Sequence, residues 1–409
     1  MMMISRSSPL DANCEGIRDN KDNGTSTAKN KRKRRRIEME MEMEMEKGNK
    51  CQAILSTSSS STCTSSSSSN LNFALLGKSK YKLRTFQDLV KFVNDLASSE
   101  KTWPQESDES RLLAAKPAID ALRRMVGLVH VKDLLKQIIV FCAQVGGSSE
   151  GRNNVAMKSP CLMGGPGMGK TTLAKIIADL YWHTGILRHT AQNQQVRYIE
   201  GNRSNMIGMY LGHSAKQTQD IIDRCRIEQK VLWIDEVHQL GHEGKRDSYS
   251  KEAIDTLCLN ITRHTDFHLI LGGYQQDIID CFLSVNKGLS RRFRFVEMDK
   301  DEYSAKHLRL IFFQQLLQAK CDVTDPITVA TEKWFEKHRA EFPFMGGDVE
   351  TLCSEACISH FDRILGCHPL LKRKLNLEDM ENGLKKLQES RAKTGDHNSE
   401  NPYVTSMYV

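Results

Sequence analysis

The stretch Met163-Gly-Gly-Pro-Gly-Met-Gly-Lys-Thr-Thr172 constrains this chain more than any other. It fits Gly-x-x-x-x-Gly-Lys-[Ser/Thr], with Gly164, Gly169, Lys170 and Thr171 in the fixed places. Glycines let the backbone turn tightly and aim successive N–H groups inward, so a polyphosphate can sit in a nest at the positive end of the helix that follows. Gly164, Gly165, Pro166, Gly167, Met168 and Gly169 form the expected cradle, and Lys170, Thr171 and Thr172 open the helix. In such a nest Lys170 neutralises the β- and γ-phosphates and Thr171 holds Mg²⁺. The bland alternative is a flexible glycine-rich loop. Its flanks argue against that: Cys161-Leu162-Met163 is an apolar lead-in, and Thr172 to Tyr181 carries apolar residues at helical spacing.

A second motif completes the chemistry. Val231-Leu-Trp-Ile-Asp-Glu236 is a buried-strand run closed by two acids, about 65 residues beyond the lysine. Asp235 is placed to bind Mg²⁺, and Glu236 to polarise the water that attacks a γ-phosphate. Acids often cap strands for no catalytic reason, and the upstream loop is what favours the chemical reading.

Composition bounds the rest. A chain of 409 residues has room for two domains and tails. No apolar run approaches the roughly 20 residues of a membrane span, and Met1 to Leu10 lacks a signal-like apolar stretch, so a soluble intracellular protein, nuclear or cytoplasmic, is expected. The 12 cysteines follow no framework spacing, as befits reduced thiols. Net charge is +7, but residues 1–70 hold 12 of the 58 Lys and Arg and 9 of the 51 Asp and Glu, leaving 46 against 42. The remainder is near neutral, which speaks against a nucleic-acid-coating role outside the tail.

Residues 1–70 are expected to form a disordered tail: a basic run from Lys29 to Arg36, Glu and Met alternating from Glu38 to Glu46, then a Ser/Thr tract. The basic run fits a nuclear-import signal, a nucleic-acid patch or a solvated tail about equally. Residues 71–114 read as a short helical accessory segment and linker, marked by the spacing of Phe86, Leu89, Val90, Val93 and Leu96. Residues 115–300 read as an α/β nucleotide-binding domain with a parallel sheet, whose strands include Val196 to Glu200, His268 to Tyr274 and Phe293 to Glu297. Residues 301–392 read as a small α-helical lid domain, with helices expected over Ala305 to Lys320, Thr331 to Phe342, Asp348 to Leu365 and Asn376 to Arg391, and residues 393–409 as a flexible tail. Tyr274 is either a γ-phosphate sensor or a packing residue. The cluster Lys287 to Arg294 is either a solvated rim or the source of an arginine finger, which requires an oligomer. Cys353, Cys357 and His360 share a helix face at i, i+4 and i+7, with Cys367 and His368 beyond; the same face carries the helix's apolar residues, which favours packing over zinc.

Taken together, Met125-Val-Gly-Leu128, Met209-Tyr-Leu-Gly-His-Ser-Ala-Lys-Gln-Thr218, Val231 to Val237, Leu271-Gly-Gly-Tyr274 and Gly288-Leu-Ser-Arg-Arg-Phe293 resemble the AAA+ ATPases, and among them the CbxX/CfqX family that includes the red-type rubisco activases. The likeness runs from about Met125 to Arg391. Members from large DNA viruses share the look of Phe344 to Leu352 and Leu375 to Gly383. The resemblance implies a P-loop AAA+ module that binds ATP and Mg²⁺, works as a hexameric ring of identical subunits, and pulls on a protein client. It places Val126 and Gly127 beside the nucleotide, Arg292 (Arg291 as second candidate) as a finger acting on a neighbour's site, and Tyr210 with Leu211 in the pore loop, Tyr210 being otherwise a packing residue. Two departures stand out. The lid segment Gly346-Gly347-Asp348-Val349 has no sensor arginine, and Val237-His238 follows the acids where the family more often has Ala-Tyr. The expected activity is ATP-driven protein remodelling; a nucleotide-gated scaffold with little hydrolysis, or a clamp-loader-like or helicase-loader-like nucleic-acid ATPase, are the rivals.

Overall fold

The computed structural model describes residues 82–99, 103–104, 107–146, 158–210, 212–241, 248–284, 288–299, 303–323, 330–366 and 374–394. The basic run, the Glu/Met repeat, the Ser/Thr tract and the chain after residue 394 lie outside the described residues, as do Leu211, Lys287, Cys367 and His368.

Among the described residues, four helices precede the sheet: α1 (Phe86–Ser98), α2 (Asp108–Ala114), α3 (Lys116–Arg124) and α4 (Val129–Val145). The start of α1 is set by a reciprocal cap, in which the Asp88 N–H donates to Thr85 Oγ1 and the Thr85 N–H donates to the Asp88 carboxylate. Its apolar face, from Phe86 to Leu96, is buried. Polar bonds pin it to α4: the Phe86 N–H donates to Asp133 Oδ1 at 2.6 Å and Lys136 Nζ donates to the Leu83 carbonyl at 3.0 Å.

Five strands, β1 (Ser159–Gly164), β2 (Tyr198–Gly201), β3 (Val231–Ile234), β4 (Leu269–Gly273) and β5 (Phe293–Met298), form one sheet in the order β2-β3-β4-β1-β5. Every pairing is parallel. That arrangement needs helices on both faces, which is why β1, β3 and β4 are apolar along almost their whole length and buried. The crossovers carry α5 (Lys170–His183), α6 (His213–Glu228) and α7 (Ser248–Arg263). Helix α7 lies outside the elements expected above; Ala253, Ile254, Leu257 and Cys258 bury along it at helical spacing. In the core, Trp233 is fully buried and lies across Gly272 of the neighbouring strand, where an added Cβ would come 2.3 Å from the indole. A glycine is needed there because two strands share space that one large ring already fills.

The C-terminal part is helical: α8 (Ala305–Gln318), α9 (Glu332–Lys337), α10 (Gly346–Arg363) and α11 (Leu377–Thr394). The piece expected over Thr331 to Phe342 divides at His338, φ −103° and ψ 20°, into α9 and a 3-10 turn, Arg339–Glu341, which stops at Phe342, φ −123° and ψ 55°, the residue that Pro343 biases away from the helical region. A two-residue parallel pair, β6 (Asp322–Val323) with β7 (Lys374–Leu375), ties the part together. Helices α10 and α11 touch at backbone distance, since a Cβ on Gly383 would lie 2.7 Å from the Ala356 nitrogen. Within this part, Cys357 Sγ lies 3.7 Å from Cys321 Sγ, and the buried His360 has its Nδ1 3.1 Å from Asp379 Oδ2. These side chains are engaged in packing the helices, the use expected of cysteines on an apolar face.

Candidate functional site

The order of the strands sets the geometry. β1 delivers the glycine loop, β3 delivers the two acids and β4, lying between them, delivers Tyr274, all at the carboxyl ends of parallel strands where such sheets open a crevice. Gly169 stands at φ +87°, a left-handed conformation that glycine alone adopts cheaply, and this turn starts α5 at Lys170. Lys170 is 7 % exposed. Its Nζ donates to the Gly164 and Gly165 carbonyls at 3.0 and 3.1 Å, lies 3.8 Å from Glu236 Oε1, and sits 4.7 Å from the centre of the Tyr274 ring.

Thr171 Oγ1 donates to Asp235 Oδ2 at 2.8 Å, so the first turn of α5 and the end of β3 are in contact. The other Asp235 oxygen accepts the Glu236 N–H at 3.0 Å. Glu236 adopts φ +47°, a strained left-handed conformation for a side chain of this size. Burial pushes its carboxyl above the ordinary glutamate range, the Lys170 ammonium opposes that, and the Asp235 charge adds to it. Glu236 Oε2 is buried and has no hydrogen-bond partner among the described residues. The Tyr274 hydroxyl is likewise raised, by burial and then by the Glu236 and Asp277 charges.

The loop's outer edge meets the C-terminal helices. Gly167, at φ +70°, approaches so closely that a Cβ there would lie 2.1 Å from the Phe344 carbonyl and 2.7 Å from the Gly347 nitrogen. Tyr303 Oη donates to the Met168 carbonyl at 3.2 Å. Behind Gly169, the Met125 methyl would stand 3.2 Å from an added Cβ, which brings the Met125-Val126-Gly127-Leu128 segment beside the loop. Val126 is buried and Gly127 has φ +67°. Nothing in the one-dimensional pattern pointed to Tyr303 or Phe344 as neighbours of the loop.

Where the family pattern has a sensor arginine, the start of α10 holds the buried Asp348. It accepts from the Phe344 N–H at 2.6 Å and pairs with Arg391 of α11 at 2.5 Å. Arg292 is remote from the crevice. It sits at the amino end of β5, where Phe293 pairs with Ser159, whereas Met298 at the other end pairs with Gly164. At about 3.3 Å per residue the strand separates the two ends by roughly 16 Å. Arg292 Nε donates to Thr262 Oγ1 at 2.7 Å and Nη1 to the Gly288 carbonyl at 2.6 Å, while Arg291 is exposed. Tyr210 is 67 % exposed and Met209 87 %, so Tyr210 is not a core-packing residue in the single chain.

The donor set suits a magnesium-bound polyphosphate. A hydroxyl and a carboxylate supply hard oxygens, a buried ammonium supplies charge, and a glycine turn opens a helix N-terminus. Comparison with known proteins agrees with the geometry. The family described as ATPase family associated with various cellular activities (AAA) matches residues 160–296. The cfxQ-like protein R730 of Acanthamoeba polyphaga mimivirus is 30 % identical over 290 residues, covering 70 % of this chain and 68 % of that protein. Stage V sporulation protein K of Bacillus subtilis is 31 % identical over 218 residues, and the ESX-1 secretion system protein EccA1 of Mycobacterium tuberculosis is 30 % identical over 246. This chain spans 64 % and 40 % of those two. Among solved structures, the FIGL-1 AAA domain in complex with ADP matches with a TM-score of 0.44 and 18 % identity, covering 66 % of this chain and 87 % of that one. The chain belongs to the AAA ATPase family, alongside the viral cfxQ-like protein.

Proposed function

We propose that the protein hydrolyses ATP and uses the energy, as a ring of identical subunits, to remodel a protein client. The observation that carries the reading is the convergence of Lys170, Thr171, Asp235 and Glu236 on one crevice, with Thr171 and Asp235 in direct contact at 2.8 Å. Lys170 supplies the cation for the β- and γ-phosphates, and Thr171 and Asp235 supply the oxygens that hold Mg²⁺. When bound, the metal neutralises charge developing on the transferred phosphoryl group. Glu236 orients and deprotonates the attacking water, and its raised carboxyl pKa improves its match to that task near neutral pH. The Val126 to Gly127 segment borders the base-binding side of the loop, and Tyr274 stands where it senses the terminal phosphate.

Assembly is supported by two features. Arg292 lies at the end of the sheet away from its own crevice, so as a finger it serves a neighbour's site. Tyr210 projects into solvent on the loop ahead of α6, as a client-gripping residue does in a ring. Mixed oligomers therefore share their active sites. No helix among the described residues is long and apolar enough to cross a membrane.

The test is phosphate release by the purified full-length chain with ATP and Mg²⁺. Glu236→Gln retains binding of a fluorescent ATP analogue while turnover falls by about a hundredfold or more. Undiminished turnover in that variant removes the base from the reading. The scaffold alternative draws on one observation, that the segment Gly346 to Val349 at the start of α10 has no sensor arginine and carries instead Asp348, paired with Arg391. A wild-type chain that binds and assembles with ATP without releasing phosphate establishes the scaffold instead.

A further inference from the structure

His238 is one of the positions where the sequence leaves the family pattern, and in the fold it stands directly behind Glu236. Its Nδ1 lies 3.4 Å from Glu236 Oε2. Both atoms are buried, and neither has a hydrogen-bond partner among the described residues, their mutual approach being a contact short of a formed bond. A buried carboxylate oxygen and a buried ring nitrogen each lose water on folding, and each is costly unless paired. A proton on Nδ1 lets each satisfy the other.

The imidazole is itself held from the opposite side. Nε2 lies 4.0 Å from Asp277 Oδ2, at the end of the short helix Gln275–Asp277 that follows β4. The ring stands 5.8 Å from the Tyr274 ring at a 34° tilt. Gly273 packs beside it, the place of a Cβ there lying 3.6 Å from Nδ1, an ordinary contact distance. The residues that fix His238 therefore belong to β4 and the turn after it, the same segment that borders the phosphate site.

Glu236 needs such a hold. Its backbone is left-handed, at φ +47°, a costly conformation that persists only where the surroundings hold it. Its Oε1 faces Lys170 at 3.8 Å, and Oε2 points away from the crevice to the imidazole. One oxygen is left facing the chemistry and the other is tied behind it. A base that must accept a proton from one particular water gains most of its advantage from such orientation.

We propose that His238 is a positioning residue for Glu236: its Nδ1–H donates to Oε2 and so aims Oε1 at the water that attacks the terminal phosphate, while Asp277 and Tyr274 set the ring. The inference rests on the hydrolase reading above. His238 touches neither nucleotide nor metal in this scheme, so its loss acts on turnover and leaves binding alone.

The experiment compares wild type, His238→Ala and His238→Asn as full-length chains, measuring phosphate release with ATP and Mg²⁺, affinity for a fluorescent ATP analogue, and melting temperature. Removing the proposed donor to the base lowers kcat about tenfold or more in His238→Ala, with ATP affinity within about threefold of wild type. His238→Asn, whose amide nitrogen takes the place of Nδ1, recovers most of the turnover. A merely structural histidine gives no such rescue and shifts melting in both variants. In a Glu236→Gln background, His238→Ala causes no further loss, because the effect passes through that carboxylate. Turnover of His238→Ala equal to that of wild type overturns the proposal, as does a His238→Asn variant that stays folded yet is as slow as the alanine. Wild-type protein that releases no phosphate overturns the hydrolase reading and this one together; active wild type with an indifferent His238→Ala overturns this one alone.

Discussion

Thr171 Oγ1 and Asp235 Oδ2 are 2.8 Å apart although 64 residues separate them in the chain. One residue opens a helix and the other closes a strand, and only a parallel sheet that delivers both at its carboxyl edge brings them together. The contact locates the proposed metal site at the junction of two motifs, and it gives the first expectation. Asp235→Asn keeps the shape and an acceptor but removes the charge. Affinity for an ATP analogue in the presence of Mg²⁺ falls at least about tenfold, while affinity measured with excess chelator changes little, because a hard divalent cation discriminates strongly between carboxylate and amide. Equal losses with and without Mg²⁺ would assign Asp235 to the nucleotide and not to the metal.

The proposed role of Arg292 as a finger acting on a neighbour would make the site a shared one. Arg292→Ala lowers turnover by about a thousandfold, the usual weight of an arginine finger, and leaves nucleotide affinity unchanged. The sharper measurement mixes Arg292→Ala with Lys170→Ala. Each is inactive alone, and the mixture regains activity, since the lysine-deficient subunit still presents its arginine to a neighbour whose own loop is intact. A mixture as inactive as its parts argues against an arginine acting in trans.

Gly167 presses against the chain at Phe344 and Gly347. Its φ of +70° alone makes alanine cost about 1–2 kcal/mol there, and the 2.1 Å approach of the new Cβ to the Phe344 carbonyl has to be relieved by moving one backbone away from the other. Urea unfolding of nucleotide-free Gly167→Ala accordingly shows a lower midpoint than wild type. An unchanged midpoint means that the loop and the start of α10 are not in contact in solution.

In the helical part, Asp379 is 1 % exposed and accepts from Arg363 at 2.7 and 2.8 Å, with His360 at 3.1 Å and the Asn376 N–H at 3.0 Å. Burial by itself raises its carboxyl, but the Arg363 and Asn376 hydrogen bonds, with His360, win and hold it below the ordinary value of 3.8. A depressed carboxylate contributes stability that is present above its unfolded-state pKa and is lost as pH falls toward the folded one. Asp379→Asn therefore destabilises the protein by about 2 kcal/mol at pH 7, and the gap in melting temperature between variant and wild type narrows as the pH drops below about 4. A gap that is the same at both pH values shows that packing, and not charge, is what the substitution removes.

Much of this was legible in one dimension. The loop from Gly164 to Thr172 and the run from Val231 to Glu236 declare themselves through residue types that phosphate and metal chemistry demand at fixed spacing, and the buried strands through unbroken apolar runs. Helix α7 was also legible, since Ala253, Ile254, Leu257 and Cys258 follow a helical period. The replacement of Ala-Tyr by Val237-His238 was visible as a departure but had no meaning until the ring was seen behind Glu236. The break of Thr331 to Phe342 at His338 is marked by no proline or glycine in the sequence, whereas the stop at Phe342 was legible in Pro343.

What the chain's sequence determines alone is local: which residues turn, which run straight, and which carry the charge and hydroxyl groups for a triphosphate. Those follow from steric and hydrogen-bonding preferences over a few neighbouring residues. Only the tertiary structure decides which distant groups meet. The pairing of His238 with Glu236, the seating of Gly167 on Gly347, the tie of Asp348 to Arg391 and the remoteness of Arg292 from its own crevice depend on strand order and helix packing. Those are set by the sum of many weak burial contacts across the whole chain, and no short window of residues contains them.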